Sequence, residues 1–302
     1  MKLGGQLSLS WTGRTPSRKN AELDRKTQFS SVCAHAFTIS VGEHALSRER
    51  PPRLTSVWKS RHLELSQARI PEGVRVYAVG DVHGRVDLLE RILASIDADV
   101  NSRPTDATIE VFLGDYIDRG PASSKVLDRL IDRRLSHRAL CLKGNHEAYM
   151  LEFLKDPTVF DEWGRYGGLE TLMSYGLTPS LNINPDERAR LANALKRALP
   201  EKHHHFLASL RTTFTCGDFC FVHAGVRPGI PLREQSKEDL MWIREDFLTY
   251  EEQFEKIIVH GHTPVVNPDI QPNRINIDTG AFATGHLTCL VLEGQTYDFI
   301  QT

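Results

Sequence analysis

Three times between residues 74 and 154, a β-forming stretch runs into a glycine-flanked polar cluster and then into an apolar run of helical period. Val74-Arg-Val-Tyr-Ala-Val79 alternates and predicts a strand. It ends in Gly80-Asp81-Val82-His83-Gly84, after which Leu88, Leu89, Ile92, Leu93 and Ile96 recur at helical spacing. A second strand at 108–113 ends in Gly114-Asp115-Tyr116-Ile117-Asp118-Arg119-Gly120-Pro121. Pro121 suits the first turn of a helix, carried by Val126, Leu127, Leu130 and Ile131. A third strand at 139–142 ends in Lys143-Gly144-Asn145-His146-Glu147, followed by a helix through Tyr149, Met150, Phe153 and Leu154. Strands alternating with helices of this length imply βαβ units and an α/β sheet. In such sheets ligands sit beyond the C-terminal strand ends, where each polar cluster falls.

Residues 155–210 read as mostly helical, broken at Gly164, Gly167-Gly168 and Gly176. Further strands are expected at 219–222, 256–259, 274–277 and 286–292. Two of them end in histidines: His223-Ala224-Gly225 and His260-Gly261-His262-Thr263.

Residues 1–70 are compositionally foreign to this pattern, with 12 Lys and Arg against 5 Asp and Glu, whereas 71–302 hold 25 against 34. They are rich in Ser, Arg and Pro and show no sustained period, which predicts a largely disordered basic extension ahead of one catalytic domain at 71–302. No basic start leads into an unbroken apolar run, so a secretory signal is not expected. With 40% hydrophobic and 25% charged residues the chain is globular in composition. A net charge of −2 excludes a global nucleic-acid signature, and no segment approaches the ~18 apolar residues of a membrane span. Five cysteines (Cys33, Cys141, Cys216, Cys220, Cys289) without a C-x-x-C read as buried thiols, and a reducing, cytoplasmic setting is expected.

Five strand ends thus present Asp81/His83, Asp115/Asp118, Asn145/His146, His223 and His260/His262. One such residue alone is usually a cap or a core histidine. Five clusters gathered at one sheet edge would desolvate and repel one another unless cations bind them. Carboxylate, imidazole and amide oxygen without thiolate argue against a structural zinc site and suit Mn²⁺, Fe or catalytic Zn²⁺. The number of candidate ligands exceeds what one open metal takes and fits two, the recurring arrangement for phosphoryl hydrolysis.

The ordered set Gly80-Asp-Val-His-Gly84, Gly114-Asp-Tyr-Ile-Asp-Arg-Gly120 and Gly144-Asn-His-Glu147 resembles the phosphoprotein phosphatase family of the calcineurin-like metallophosphoesterase superfamily. The likeness extends through His223-Ala-Gly, Trp242-Ile-Arg244, Gly261-His-Thr-Pro264 and Ile277-Asp-Thr-Gly-Ala281, over roughly 74–295. It looks nearest to the bacterial and phage serine/threonine phosphatases, bacteriophage lambda phosphatase among them. The resemblance implies a four-layer α/β/β/α sandwich and two divalent metal ions, Mn²⁺ foremost. It implies Asp81 and His83 on the first metal, Asp115 bridging, and Asn145, His223 and His262 on the second, with His262 preferred to His260 by alignment on Gly-His-Thr. Asp118 and His146 would form an acid pair, and Arg119, Arg244 and Lys143 would hold phosphate oxygens. A bridging hydroxide would attack phosphorus in line, without a phosphoenzyme. The chain departs from the family at Lys143, where Arg is usual and where Lys loses the bidentate fork. It departs from the wider phosphodiesterase branch at Pro264, where a second His stands.

The leading expectation is a protein serine/threonine phosphatase acting on phosphoproteins or phosphopeptides, with no nucleic-acid or membrane partner. The alternative is a dinucleoside polyphosphate (diadenosine tetraphosphate) hydrolase. That branch tends to lack the acid before Arg-Gly and to carry Gly-Asn-His-Asp, so Asp118 and Glu147 favour monoesters. Of the remaining residues, His203-His204-His205 reads as a solvated helix face, and Trp163, Tyr166 and Tyr175 as core, with the lining of a substrate groove as the alternative.

Overall fold

The computed structural model describes residues 61–62, 68–180 and 184–302. The disorder expected of the N-terminal extension lies, for residues 1–60 and 63–67, outside the described residues. The folded body starts before the expected boundary at 71. β1 (Arg61–His62) pairs with a strand near the C-terminus, and Ala68 and Ile70 are buried.

A six-stranded sheet contains β2 (Val74–Val79), β3 (Ala107–Phe112), β4 (Ala139–Cys141), β10 (Thr288–Glu293) and β11 (Thr296–Gln301) besides β1, in the order β1-β11-β10-β2-β3-β4. β2, β3 and β4 are parallel, and β10 joins β2 antiparallel. A five-stranded sheet, β5-β6-β7-β9-β8, is built from β5 (Thr213–Cys216), β6 (Phe219–Val222), β7 (Ile257–His260), β8 (Asp269–Gln271) and β9 (Arg274–Asn276). The predicted strands are all present within a residue or two. β1, β5, β8 and β11 are additional; β1, β5 and β8 are sheet edges, and no residue of β5 or β8 is fully buried, which leaves those two a weak apolar pattern.

Period-two alternation sorts the side chains into layers. Val76 and Ala78 of β2, Ile109 and Val111 of β3, and Leu290 and Leu292 of β10 meet Phe219, Phe221, Ile257, Val259 and Ile275 between the sheets. The other face of the six-stranded sheet, with Tyr77, Val79, Phe112, Cys289 and Val291, packs on helices. These include α1 (Val86–Ser102), whose Leu88, Leu89, Ile92, Leu93 and Ile96 are buried, α2 (Ser123–Ser136) and α3 (Asn145–Phe153). α4 (Phe160–Arg165), α5 (Gly168–Ser174), α6 (Pro185–Ala198) and α7 (Glu201–Ala208) follow in the segment expected to be helical. On the outer face of the smaller sheet, Cys220, Val222 and Ile258 pack with Leu240 of α8 (Lys237–Trp242) and Phe247 of α9 (Glu245–Leu248). The fold is the expected α/β/β/α sandwich. No helix of the described residues is long and apolar enough to cross a membrane.

Two expectations about the body are corrected. His203 is buried, not solvated: it shares the inward face of α7 with Phe206 and Leu207, and its ring joins the Tyr175 hydroxyl (2.8 Å) to Asp128 (2.9 Å). Only His204 and His205 are exposed. Cys141, Cys220 and Cys289 are buried free thiols as expected, but Cys216 is only half-buried.

Candidate metal centre

The loops after β2, β3, β4, β6 and β7 converge on the Asp115 carboxylate. Its Oδ2 lies 3.6 Å from His83 Nε2 and 3.7 Å from His146 Nε2, and its Oδ1 lies 3.4 Å from His223 Nε2. Asn145 Oδ1 is 2.9 Å from His223 Nε2 and 3.0 Å from His262 Nδ1. Two groups could therefore hold a metal ion, His83–Asp115–His146 and Asp115–His223–His262, and Asp115 belongs to both. Asp81 lies in neither group. It is buried beside them, its Oδ2 accepting the backbone N–H of His262 at 3.0 Å. His83 and His223 turn Nδ1 to the carbonyls of Ile117 (2.9 Å) and Leu113 (3.1 Å), which leaves each Nε2 lone pair for the centre.

The backbone is bent to make this possible. Among the described residues, the non-glycine positions with positive φ are His83, Asp115, Asp118, Arg119 and His262, all of them candidate site residues. Such conformations cost on the order of 1–3 kcal/mol each and persist only where the surroundings over-determine them. Glu147 supplies part of that restraint: its carboxylate accepts the N–H groups of Gly144 (2.9 Å), Asp115 (3.0 Å) and Tyr116 (2.8 Å). Two glycines keep the carboxylates accessible. A Cβ at Gly144 would stand 2.0 Å from Asp115 Oδ1, and one at Gly261 would stand 2.1 Å from Asp81 Oδ1.

The electrostatics ask for cations. Burial, then Asp278 and Asp115, raises Asp81 well above the ordinary carboxylate range. Burial raises Asp278 to about 6 and Glu147 to about 7. Asp115 goes the other way: burial opposes its charge, but His223 and His146 outweigh it and hold it well below the usual value. Burial lowers His83 to about 3 and His262 to about 2, and neutral imidazole is the form that ligates metal. Asp81 Oδ1 and His262 Nε2 are buried with no hydrogen-bond partner. Orphaned buried acceptors are rare unless an ion or water is meant for them. Hard oxygen and imidazole donors around a shared carboxylate fit two divalent cations.

The other expected residues fall as follows. His146 Nδ1 is 2.6 Å from Asp118 Oδ2, and an Arg119 nitrogen lies 3.5 Å from His146 Nε2. Arg244 is exposed and donates to Thr263, next to His262, at 3.1 Å. Lys143 is half-buried; burial lowers its pKa, and the charges acting on it are Glu147, Lys237 and Lys155. His260 is not brought in: the strand alternation of β7 turns its ring to Phe247, 4.9 Å between centroids.

Trp163, Thr171 and Asp278 had no ligand or acid–base role assigned from sequence. Asp118 is fully buried, and its carboxylate also accepts the Trp163 indole N–H (2.8 Å) and the Thr171 hydroxyl (2.5 Å). Trp163 is thus core, as expected, but it is also part of the site. Asp278 sits in the Ile277-Asp-Thr-Gly-Ala281 stretch without a role assigned from sequence. Tyr166 is not core: it is 41% exposed, with its ring 6.2 Å from that of His146.

Comparison with known proteins agrees with this geometry. The profile of the family described as "Calcineurin-like phosphoesterase" matches residues 74–286. The chain is similar to the bis(5'-nucleosyl)-tetraphosphatase PrpE [asymmetrical] of Anoxybacillus flavithermus, 25% identical over 231 residues, covering 70% of this chain and 88% of that one. The enzyme of the same name from Halalkalibacterium halodurans is 28% identical over 233 residues, covering 70% and 87%. A zinc-dependent endopolyphosphatase of Saccharomyces cerevisiae is 29% identical over 162 residues, covering 50% of this chain and 47% of its own. Among solved structures, a putative diadenosine tetraphosphatase shares the fold with a TM-score of 0.51 at 22% identity, covering 75% of this chain and 93% of that one. With the family profile spanning the five strand ends that build the centre, the chain belongs to the calcineurin-like phosphoesterase family.

Proposed function

We propose that this chain is a dinuclear metallophosphohydrolase acting on dinucleoside polyphosphates of the diadenosine tetraphosphate class. The observation that carries the hydrolase reading is the pair of ligand groups sharing Asp115. The substrate class rests on relatives named as bis(5'-nucleosyl)-tetraphosphatases that align over most of their length. This reverses the order expected from sequence. Glu147 spoke for monoesters there, but its carboxylate is occupied by four loop amides, those of Gly144, Asp115, Tyr116 and Ile117, a task indifferent to the substrate.

In this reading Asp81, His83 and Asp115 hold one cation, and Asp115, Asn145, His223 and His262 hold the other. Mn²⁺ is the proposed metal, with Fe and Zn²⁺ compatible with the same donors. When bound, two divalent cations supply Lewis acidity toward phosphoryl oxygens and bring the pKa of water near neutrality. Arg119 and Arg244 bind and orient the phosphate, and Lys143 adds positive charge at the site. His146 passes the proton at Nε2 to the leaving oxygen, while Asp118 fixes the ring through Nδ1. Burial opposes a proton on His146, but Asp115 and Asp118 raise its pKa above the ordinary imidazole value.

That acid pair is also the observation favouring a second reading, a protein serine/threonine phosphatase. An alkoxide needs a proton far more than a departing phosphate does. The test is Mn²⁺-reconstituted protein assayed side by side on diadenosine tetraphosphate, a phosphoserine peptide and p-nitrophenyl phosphate. The proposal expects the highest kcat/KM on the dinucleotide; a higher value on the phosphopeptide reverses the order of the two readings. Asp118→Asn is expected to slow the phosphoserine peptide by roughly 10²–10⁴-fold and the aryl ester far less.

A further inference from the structure

An aromatic ladder rises from the metal centre and ends in an exposed ring. Tyr149 lies one turn beyond Asn145 and His146 on α3, so the helix that carries two site residues also carries this ring on the same side. Its ring meets Trp242, at the end of α8, edge to face at 4.9 Å. Tyr166 stacks on Tyr149 at 5.7 Å with 22° between the planes. The turn bearing Tyr166 is fastened to the phosphate-binding side. The Gly167 carbonyl accepts the Arg119 N–H at 3.1 Å, and a Cβ at Gly167, whose φ is +98°, would stand 2.5 Å from Arg119 N.

The second exposed ring at the centre is already engaged: Phe282 lies under the Arg119 guanidinium at 4.7 Å and edge-on to His83 at 5.6 Å. One face of Tyr166 is covered by Tyr149, and 41% of the residue remains exposed. Its ring therefore stands exposed beside the centre with a second ring behind it.

We infer that Tyr166, backed by Tyr149, is the stacking platform for the nucleobase attached to the reacting phosphate chain, and so a residue that sets specificity for nucleotides over bare polyphosphate. This rests on the nucleotide reading given above. Arg119 takes the phosphate next to His146 while the adjoining turn offers a fixed π-face. The ring is held before the substrate arrives, so little ordering entropy is lost on stacking. Base–aromatic stacking is tolerant of base identity, which predicts selection for a nucleoside and weak preference among bases.

The test compares kcat/KM on diadenosine tetraphosphate with kcat/KM on inorganic tripolyphosphate, using Mn²⁺-loaded wild type, Tyr166→Ala and Tyr166→Phe. Truncation is expected to lower the ratio by about 5–150-fold, carried by KM. The Phe variant, which keeps the π-face, retains the wild-type ratio. A ratio unmoved in Tyr166→Ala, with the dinucleotide still cleaved by wild type, overturns the platform and leaves the proposed function standing. Wild-type protein that cleaves tripolyphosphate but not the dinucleotide overturns the nucleotide reading itself. With a phosphotyrosine peptide as a third substrate, a KM loss confined to that peptide overturns the nucleobase and assigns the ring to an aromatic ester.

Discussion

Two buried charged regions lie on the same six-stranded sheet, and they are neutralised differently. On the helix side, Arg133 donates to Glu110 at 2.8 and 2.6 Å and to Asp97 at 3.1 and 2.5 Å. Nearby, Arg75 forks onto Glu293 at 2.9 and 3.0 Å, and Arg103 onto Asp99 at 2.9 and 2.8 Å. Every carboxylate there is answered by a guanidinium from the chain. At the strand ends, Asp81, Asp115 and Asp278 are as deeply buried, yet among the described residues none is ion-paired to Lys or Arg. The contrast separates a geometry that could hold metal from one that needs it. Asp97, Glu110 and His137 also lie close enough together to hold an ion, but Arg133 already stands among them. The first region is finished when the chain folds; in the dinuclear reading proposed above, the second is finished only when cations arrive.

The contrast can be broken most forcefully at Asp115. Asp115→Asn removes the carboxylate shared by both ligand groups. Metal content should fall, and kcat should drop on every substrate by roughly 10²–10³-fold or more, the equivalent of several kcal/mol of lost charge stabilisation. Elemental analysis beside steady-state kinetics checks this; full metal with normal turnover would remove Asp115 from the centre.

Arg133→Met probes the finished region. It strands the buried Glu110 carboxylate and should cost about 3–5 kcal/mol in denaturant unfolding, with metal content per folded chain unaltered. A change under ~0.5 kcal/mol would mean that Arg133 is not what neutralises that acid.

The smallest effect has the opposite sign. Asp81→Asn in the presence of chelator should stabilise the protein by about 1 kcal/mol, because it removes a buried carboxylate whose Oδ1 has no partner. Excess Mn²⁺ should then rescue the variant less than it does wild type. Destabilisation in chelator would make the two regions alike.

The parts of this account legible in the sequence are those written locally. Strand alternation and helical spacing marked β2, β3, α1 and α2, and the strand ends carried the acids and histidines with their glycines. The end of β7 separates His260 from His262: His260, the last strand residue, turns to Phe247, whereas His262 follows in the loop at φ +66°. A local signal for His203 also existed, since it shares one helical face with Phe206 and Leu207, and reading the three histidines as a block hid it. What was not legible depends on partners distant in the chain. Asp118 and Trp163 are 45 residues apart, and Asp118 and Thr171 are 53 apart. Nothing in either stretch announces the other. The exposure of Tyr166 likewise follows from where the turn before α5 is tied to Arg119. Substrate choice was the least legible of all, because Glu147 serves the backbone of the loop and not the leaving group.

The most direct test is calorimetric titration of the metal-free protein with Mn²⁺, read as equivalents bound per chain. The account predicts two in wild type and at most one in Asp115→Asn. Two equivalents retained in Asp115→Asn, or no binding by wild type, would contradict it.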